Sequence, residues 1–336
     1  MKKILYVGNN LKNDTSNVSS IQLLGGLLEM EGYTMYYTSS QQYKVLRLMD
    51  MVYCFFKYRR KVDYVIIDTY STQNFYFALV VSQLCRLFKT AYLPNLNGGN
   101  LPVRLKHYPF LSSLIFKHAY LNVSPSPFLQ QAFERFGYTN VIYIPNTIEI
   151  KHYVYDLKTY ERIKLLWVRS FSKIYNPSLA VYVLKSLQTN GYPAELCMVG
   201  PDADGSLKTV KQLAKQLKVS VRFTGKLDKP VWRTLAQQYN IFINTTNFDN
   251  TPVSVIEAMA LGLPVVSTNV GGMPYLIEDG KEGLLVNPDD VEAMTRAIIE
   301  LYLNQDHANA LTSNARQKVE QFDWEVVKDL WFEVLR

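Results

Sequence analysis

Residues Asn244 to Val286 read NTTNFDNTPVSVIEAMALGLPVVSTNVGGMPYLIEDGKEGLLV. The stretch opens at the end of the apolar run Ile241-Phe242-Ile243-Asn244, which predicts a strand. Thr251 is a good N-cap, Pro252 fits the first helical position, and Gly262 followed by Pro264 stops a helix, so a short helix is expected over about Pro252 to Leu261. Pro264-Val265-Val266-Ser267 then reads as the next strand. Strand, loop, helix and strand in that order make a parallel βαβ unit, with the helix N-terminus at a strand's carboxyl end. Amides near Thr251, Val253 and Ser254, together with the positive end of the helix dipole, form an anion site suited to a diphosphate. Asp249 lies in the loop just before that site. Glu257 lies inside the helix among Ala, Met, Ile, Val and Leu, where a carboxylate needs a hydrogen-bonding partner. A ribose diol supplies two donors; a loop amide or a cation would also satisfy it.

Outward from this stretch the same rhythm fills the chain. In the N-terminal half, Lys3 to Val7, Val62 to Asp68, Thr90 to Leu93 and Val141 to Ile144 read as strands. Ile21 to Met30 and Phe75 to Phe88 read as helices. The second half restarts with strands at Lys164 to Val168, Glu195 to Val199 and Val221 to Phe223, alternating with helices at Pro177 to Gln188 and Leu207 to Leu217. This predicts an α/β chain of two Rossmann-like domains with parallel sheets facing a central cleft, joined by the polar segment Lys151 to Arg162. With 336 residues each domain has enough chain for its own core. The boundaries are set at 1–155, 156–318 and a final helix, 319–336, packing back on the N-terminal domain.

Composition excludes other classes. Hydrophobic residues at 48% and charged residues at 19% fit a globular chain and not a disordered one. Cys54, Cys85 and Cys197 are widely spaced with no CxxC pair, which argues against a disulfide framework or zinc ribbon. His107, His118, His152 and His307 show no metal-ligand spacing, so no metal is expected. The apolar stretch Ile4 to Val7 is too short for a signal peptide, and Phe75 to Val81 too short for a membrane span, so a cytoplasmic protein is expected.

The net charge of +7 is unevenly placed: residues 1–155 hold 16 Lys+Arg and 8 Asp+Glu, so the basicity belongs to the N-terminal half. It gathers with aromatics from Tyr43-Lys44-Val45-Leu46-Arg47 to Phe55-Phe56-Lys57-Tyr58-Arg59-Arg60-Lys61. Such a stretch reads as a surface for anionic lipid headgroups or another polyanion, or as a core helix with a solvated basic last turn. No nucleic-acid recognition motif accompanies the charge, so no nucleic acid is expected as partner.

The eight-residue spacing of Asp249 and Glu257, with Glu257-Ala258-Met259-Ala260, Gly262-Leu263-Pro264-Val265 and Gly271-Gly272-Met273-Pro274, resembles the signature of glycosyltransferase family 4, retaining enzymes of the GT-B fold. Val199-Gly200-Pro201, Phe223-Thr224-Gly225, Val168-Arg169-Ser170-Phe171-Ser172-Lys173, Asn97-Gly98-Gly99-Asn100-Leu101-Pro102, Ser124-Pro125-Ser126 and Ile144-Pro145-Asn146-Thr147-Ile148 extend the likeness over nearly the whole chain.

The resemblance implies that Glu257 holds the nucleotide ribose, Asp249 approaches the donor sugar, and Arg169 and Lys173 neutralise the diphosphate. The Gly225-Lys226 turn resembles the base-stacking loop, with Gly200 and Gly8 also on the donor side. Asn97 stands where relatives often carry His, contacting sugar or acceptor; an amide keeps the hydrogen bonds but does not titrate near neutral pH. Gly98 and Gly99 permit close backbone approach, and Asn9, Asn10 and Asp68 fall on the acceptor side. The activity implied is a retaining, metal-independent, hexosyltransferase-type glycosyltransferase with no cofactor, its substrate a UDP-sugar or GDP-sugar. Its acceptor is expected to be a lipid-linked or other glycan in surface-polysaccharide assembly, met at the inner membrane face through the basic domain. A sugar-nucleotide epimerase of the same fold and a catalytically degenerate binding partner are the alternatives.

Overall fold

The computed structural model describes residues 2–11, 19–159 and 161–336; Tyr160, inside the expected linker, lies outside the described residues. The chain divides into two units, Met1–Asn146 with Val327–Arg336, and Thr147–Val326.

The first unit runs β1 (Lys3–Val7), α1 (Ser20–Met30), β2 (Thr34–Thr38), α2 (Lys44–Tyr58), β3 (Tyr64–Thr69), α3 (Asn74–Leu87), β4 (Ala91–Leu96), α4 (Leu101–His107), α5 (Pro109–Phe116), β5 (Asn122–Ser124), α6 (Pro127–Arg135) and β6 (Val141–Tyr143). Its strands form one parallel sheet in the order β2-β1-β3-β4-β5-β6. Every residue of β3 is buried, as expected where helices cover both faces of a parallel sheet. Ser126 caps α6, its hydroxyl accepting from Leu129 N at 3.1 Å, and Pro127 opens the helix without forfeiting a ladder bond. Leu5, Phe55, Val65, Phe75, Leu101 and Phe116 belong to the core.

The second unit runs β7 (Ile163–Val168), α7 (Pro177–Thr189), β8 (Ala194–Val199), α8 (Ser206–Gln216), β9 (Val221–Gly225), α9 (Lys229–Ala236), β10 (Ile241–Asn244), α10 (Val253–Ala260), β11 (Val265–Thr268), α11 (Met273–Leu276), β12 (Leu284–Val286), α12 (Val291–Leu303) and α13 (Gln305–Glu320). α14 (Trp324–Val334) follows and carries the chain into the residues that cluster with the first unit. The strand order is β12-β11-β10-β7-β8-β9, again parallel, with two core layers, one around Trp167 and Leu184 and one around Phe242 and Met259. In both units the strand ends that carry the candidate residues are carboxyl ends, where α/β sheets place their ligands.

Three expectations are revised. The unit boundary falls at Asn146/Thr147 and not at 155, because Ile148 N–H donates to Phe322 O and buried Tyr153 reaches Glu257. Pro252 and not Thr251 is the residue before the first helical one: Pro252 is extended (φ −71°, ψ 119°), and its carbonyl accepts from Val255 and Ile256. Arg47, read as part of a basic surface, is 7% exposed. Among the described residues no helix is long and apolar enough to cross a membrane.

Candidate active site

Arg169 follows the last residue of β7, and Asp249 lies in the loop after β10, the strand paired beside it. Adjacent strand ends therefore bring the two together, and Arg169 forms an ion pair with Asp249. The guanidinium also lies over the Tyr175 ring, 4.3 Å from its centroid. Its Nε is buried with no hydrogen-bond partner among the described residues, and burial lowers the Arg169 pKa. Asp249 Oδ1 accepts from Asn250 N–H at 2.9 Å. Removing one member of so enclosed a pair leaves a charge without its counter-ion, the costly way to break a buried salt bridge.

The Gly271-Gly272 pair holds this loop from behind. Gly272 N–H donates to Asp249 O at 3.0 Å, and Gly271 has φ +56°. A Cβ on Gly271 would run into the carbonyl oxygen of Asp249, and one on Gly272 into that of Asn250. Side chains are thus excluded where two backbone segments touch. The loop leads into α10, whose first-turn amides, at Val253 and Ser254, precede the ladder and point their dipole's positive end toward the strand ends. Ser254 Oγ is buried with no hydrogen-bond partner among the described residues.

Glu257 is 5% exposed on α10, and its carboxylate is engaged by the chain itself. Oε1 accepts from the Tyr153 hydroxyl at 2.6 Å and pairs with Lys229 Nζ at 2.9 Å. Burial raises the Tyr153 pKa, and the neighbouring Glu257 charge adds to it. Both partners use Oε1, so Oε2 takes no part in either contact. Of the partners open on sequence grounds, a cation is present, joined by a tyrosine. Neither Lys229 nor Tyr153 carried a sequence signal; they lie 28 and 104 residues from Glu257 in the chain.

The other second-unit candidates are dispersed around these groups. Lys173 is exposed in a 3-10 turn, Lys173–Tyr175; its backbone N–H donates to Asp204, and among the described residues its ammonium makes no ion pair. Gly200 N–H donates to Gly225 O at 2.9 Å, joining the ends of β8 and β9, and Lys226 follows half-buried.

In the first unit Gly8 follows β1, Asp68 lies near the end of β3 and Asn97 follows β4, with Asn97 Nδ2 donating to Asp68 Oδ1 at 2.7 Å. Asn9 Oδ1 accepts from buried Arg47, and Asn10 Oδ1 from Gln22. Gly98 and Gly99 form the turn into α4, Gly98 O accepting from Leu101 N. The structure thus brings Asp249 to Arg169 and Asp68 to Asn97. Tyr153, Tyr175 and Lys229, which the sequence had not marked, contact these candidates, and Arg47, read there as basic surface, contacts Asn9.

Residues 156–318 match the family model described as glycosyl transferases group 1. That span, just under half of the chain, lies within the second unit, which is thus similar to the group 1 glycosyl transferases. The chain is similar to a colanic acid biosynthesis glycosyltransferase, WcaL, of Salmonella typhimurium, with 40% identity over 76 residues, 22% of this chain and 19% of that one. The chain is also similar to a D-inositol 3-phosphate glycosyltransferase of Corynebacterium urealyticum, with 29% identity over 130 residues, 38% of this chain and 31% of that one. The chain spans only about a fifth to a third of the length of the first curated relatives it matches.

Among solved structures, sucrose-phosphate synthase from Thermosynechococcus elongatus superposes with TM-score 0.85 at 17% identity, covering 99% of this chain and 98% of that one. Anabaena HepE, solved with UDP-glucose, superposes with TM-score 0.80 at 17% identity, covering 100% and 99%. At such identity the likeness establishes the fold: two Rossmann-like units, GT-B.

Proposed function

We propose that the chain is a retaining glycosyltransferase of the family 4 type, moving a sugar from a nucleoside diphosphate, UDP or GDP, to the hydroxyl of a glycan acceptor. The observation that carries this reading is the grouping of Arg169, Asp249 and the first turn of α10 at adjacent strand ends of a unit similar to the group 1 glycosyl transferases, with Glu257 on the same helix. Buried, pre-positioned positive charge is suited to stabilise the negative charge that builds on a departing diphosphate. The HepE structure, solved with UDP-glucose, supports a UDP-sugar as donor.

In the reading, Glu257 receives the ribose through Oε2, and Lys229 and Tyr153 hold the carboxylate by Oε1. Arg169 and the α10 amides take the diphosphate; Asp249, tied to Arg169, faces the sugar. The bond from the anomeric carbon to the phosphate oxygen breaks, the acceptor oxygen bonds to the same face, and the acceptor proton passes to the departing phosphate oxygen. The residues required are thus charge stabilisers and binders, with no protein base.

The acceptor is proposed to be lipid-linked, as in surface-polysaccharide assembly. α2 exposes Val45, Met49, Tyr53 and Phe56, carries Lys57 in its last turn and is followed by Arg59, Arg60 and Lys61. Arg59 lies 4.2 Å from the Phe88 ring centroid, so apolar and cationic groups share one face, a pattern suited to anionic headgroups. The colanic acid assignment of WcaL supports the polysaccharide setting.

Calorimetric titration with UDP, GDP and ADP tests the donor side. One nucleotide is expected to bind, with Glu257→Ala weakening it at least tenfold, about 1.4 kcal/mol. No binding by any of the three would overturn the reading and leave the degenerate partner in its place.

A further inference from the structure

At the amino ends of β7 and β10 the second unit holds a cavity of about 240 Å³, with Lys158, Arg162, Gln237 and Gln238 among its lining residues. A single water needs ~10–15 Å³ of such space, so a larger guest fits. Asn240, 4% exposed, fixes the walls. Its Oδ1 accepts from Lys164 N–H at 2.8 Å, and its Nδ2 donates to Thr159 O at 2.9 Å and to Arg162 O at 2.8 Å. The start of the segment is held by close packing: a Cβ on Gly262 would stand 2.7 Å from Asp156 O.

Lys158 is enclosed without a matching acceptor. Its side chain is 6% exposed, and its counter-charge is Asp156 Oδ2 at 3.9 Å, on a side chain 71% exposed. That separation is beyond hydrogen-bond reach, and among the described residues the ammonium makes no hydrogen bond. Three donors taken out of water without acceptors are costly, and burial lowers the Lys158 pKa accordingly. Arg162, at the exposed rim, gives its carbonyl to Asn240, while among the described residues its guanidinium makes no ion pair. Lys164 is paired with Glu195 at 3.8 Å, and both ends of the Asn240 amide are used. The lining carboxylates, Asp156 and Glu161, are exposed, so water and salt screen them more than they screen Lys158. A guest therefore meets an ammonium, a guanidinium and two glutamine amides. Phosphate suits them: it brings acceptor oxygens on every side, charge opposite to both cations, and an edge that matches the guanidinium fork.

We propose that Lys158, Arg162, Gln237 and Gln238 form a binding site for a phosphate group, either inorganic phosphate or that of a small phosphomonoester. The site is separate from the candidate active site, which lies at the carboxyl ends of the same strands; the six residues of β7 alone span ~20 Å. It does not rest on the transfer reading. Free ion and ester present the same group, so two arms distinguish them.

The test is calorimetric titration of the full chain at constant ionic strength, wild type against Arg162→Gln and Lys158→Met. One arm uses inorganic phosphate, the other glycerol phosphate. Wild type is expected to bind with a submillimolar Kd, and each substitution to weaken binding at least tenfold. Tenfold tighter binding of glycerol phosphate names the ester as the guest; equal or weaker binding names the free ion. Saturation with UDP, or with GDP if that is the nucleotide bound, should leave the phosphate affinity as it was.

No binding of either compound by wild type overturns the proposal. So does binding that a folded variant leaves unchanged, or that the nucleotide displaces, since either result puts the phosphate elsewhere. Arg162 is exposed, so Arg162→Gln decides the matter should Lys158→Met not fold. A wild type that binds phosphate here but no nucleotide overturns the transfer reading and leaves this site standing.

Discussion

The Tyr153 hydroxyl is the shortest hydrogen-bond donor to Glu257, and its loss can be isolated. Tyr153→Phe keeps the ring and is expected to cost about 1.5–3 kcal/mol in chemical denaturation, the range for a hydrogen bond to a charged group. Asp68 supplies a second residue-level prediction. Burial pushes its pKa up to about 7, against about 3.9 for an unperturbed aspartate. The folded state therefore binds this proton more tightly than the unfolded one. The stability it contributes is complete below pH ~4 and is lost as pH rises through ~7. The titratable groups facing it, Tyr6 and Tyr70, stay neutral throughout because burial raises both their pKa values; Arg47, beyond Asn9, stays charged. Urea denaturation between pH 4 and 8 should show that slope in wild type and a flatter one in Asp68→Asn. At this scale the motif marked Arg169, Asp249 and Glu257 as candidates, whereas Lys229 and Tyr153, the partners of Glu257, carried no sequence signal, because such partners are set by tertiary placement.

Elements were legible where burial is two-sided. β1 and β10 fall on the expected residues because both are short apolar runs packed in the sheet. β2 was not foreseen: its Thr34-Met35-Tyr36-Tyr37-Thr38 is a half-buried edge strand with no apolar run to mark it. α1 allows a paired test of the helical glycines. A Cβ on Gly26 meets nothing within 4 Å, so Gly26→Ala should stabilise by about 0.5–1 kcal/mol. A Cβ on Gly25 would stand 2.6 Å from the Tyr37 ring, so Gly25→Ala should lower the melting temperature instead. The exposed face of α2 is tested by sedimentation with phosphatidylglycerol vesicles. Serine at Lys57, Arg59, Arg60 and Lys61 should weaken binding at least tenfold, and undiminished binding would end the lipid reading.

Over the whole molecule, the two-part strand–helix rhythm announced two sheets, and both are present. Their boundary was less legible, since residues 147–153 are claimed by contacts more than 100 positions away, at Glu257 and Phe322. Val327–Arg336 belongs to the first unit through Lys328–Glu31, Phe332 against Tyr33, and the Tyr64 hydroxyl to Arg336 O. The most direct measurement of function is nucleoside diphosphate release from UDP-glucose, GDP-mannose and ADP-glucose, with wild type and Glu257→Ala side by side. Slow release from one donor without added acceptor, reduced at least tenfold in the variant, is the expected result. Release from none of them, or equal release by both proteins, would contradict a nucleotide-sugar transferase built around Glu257.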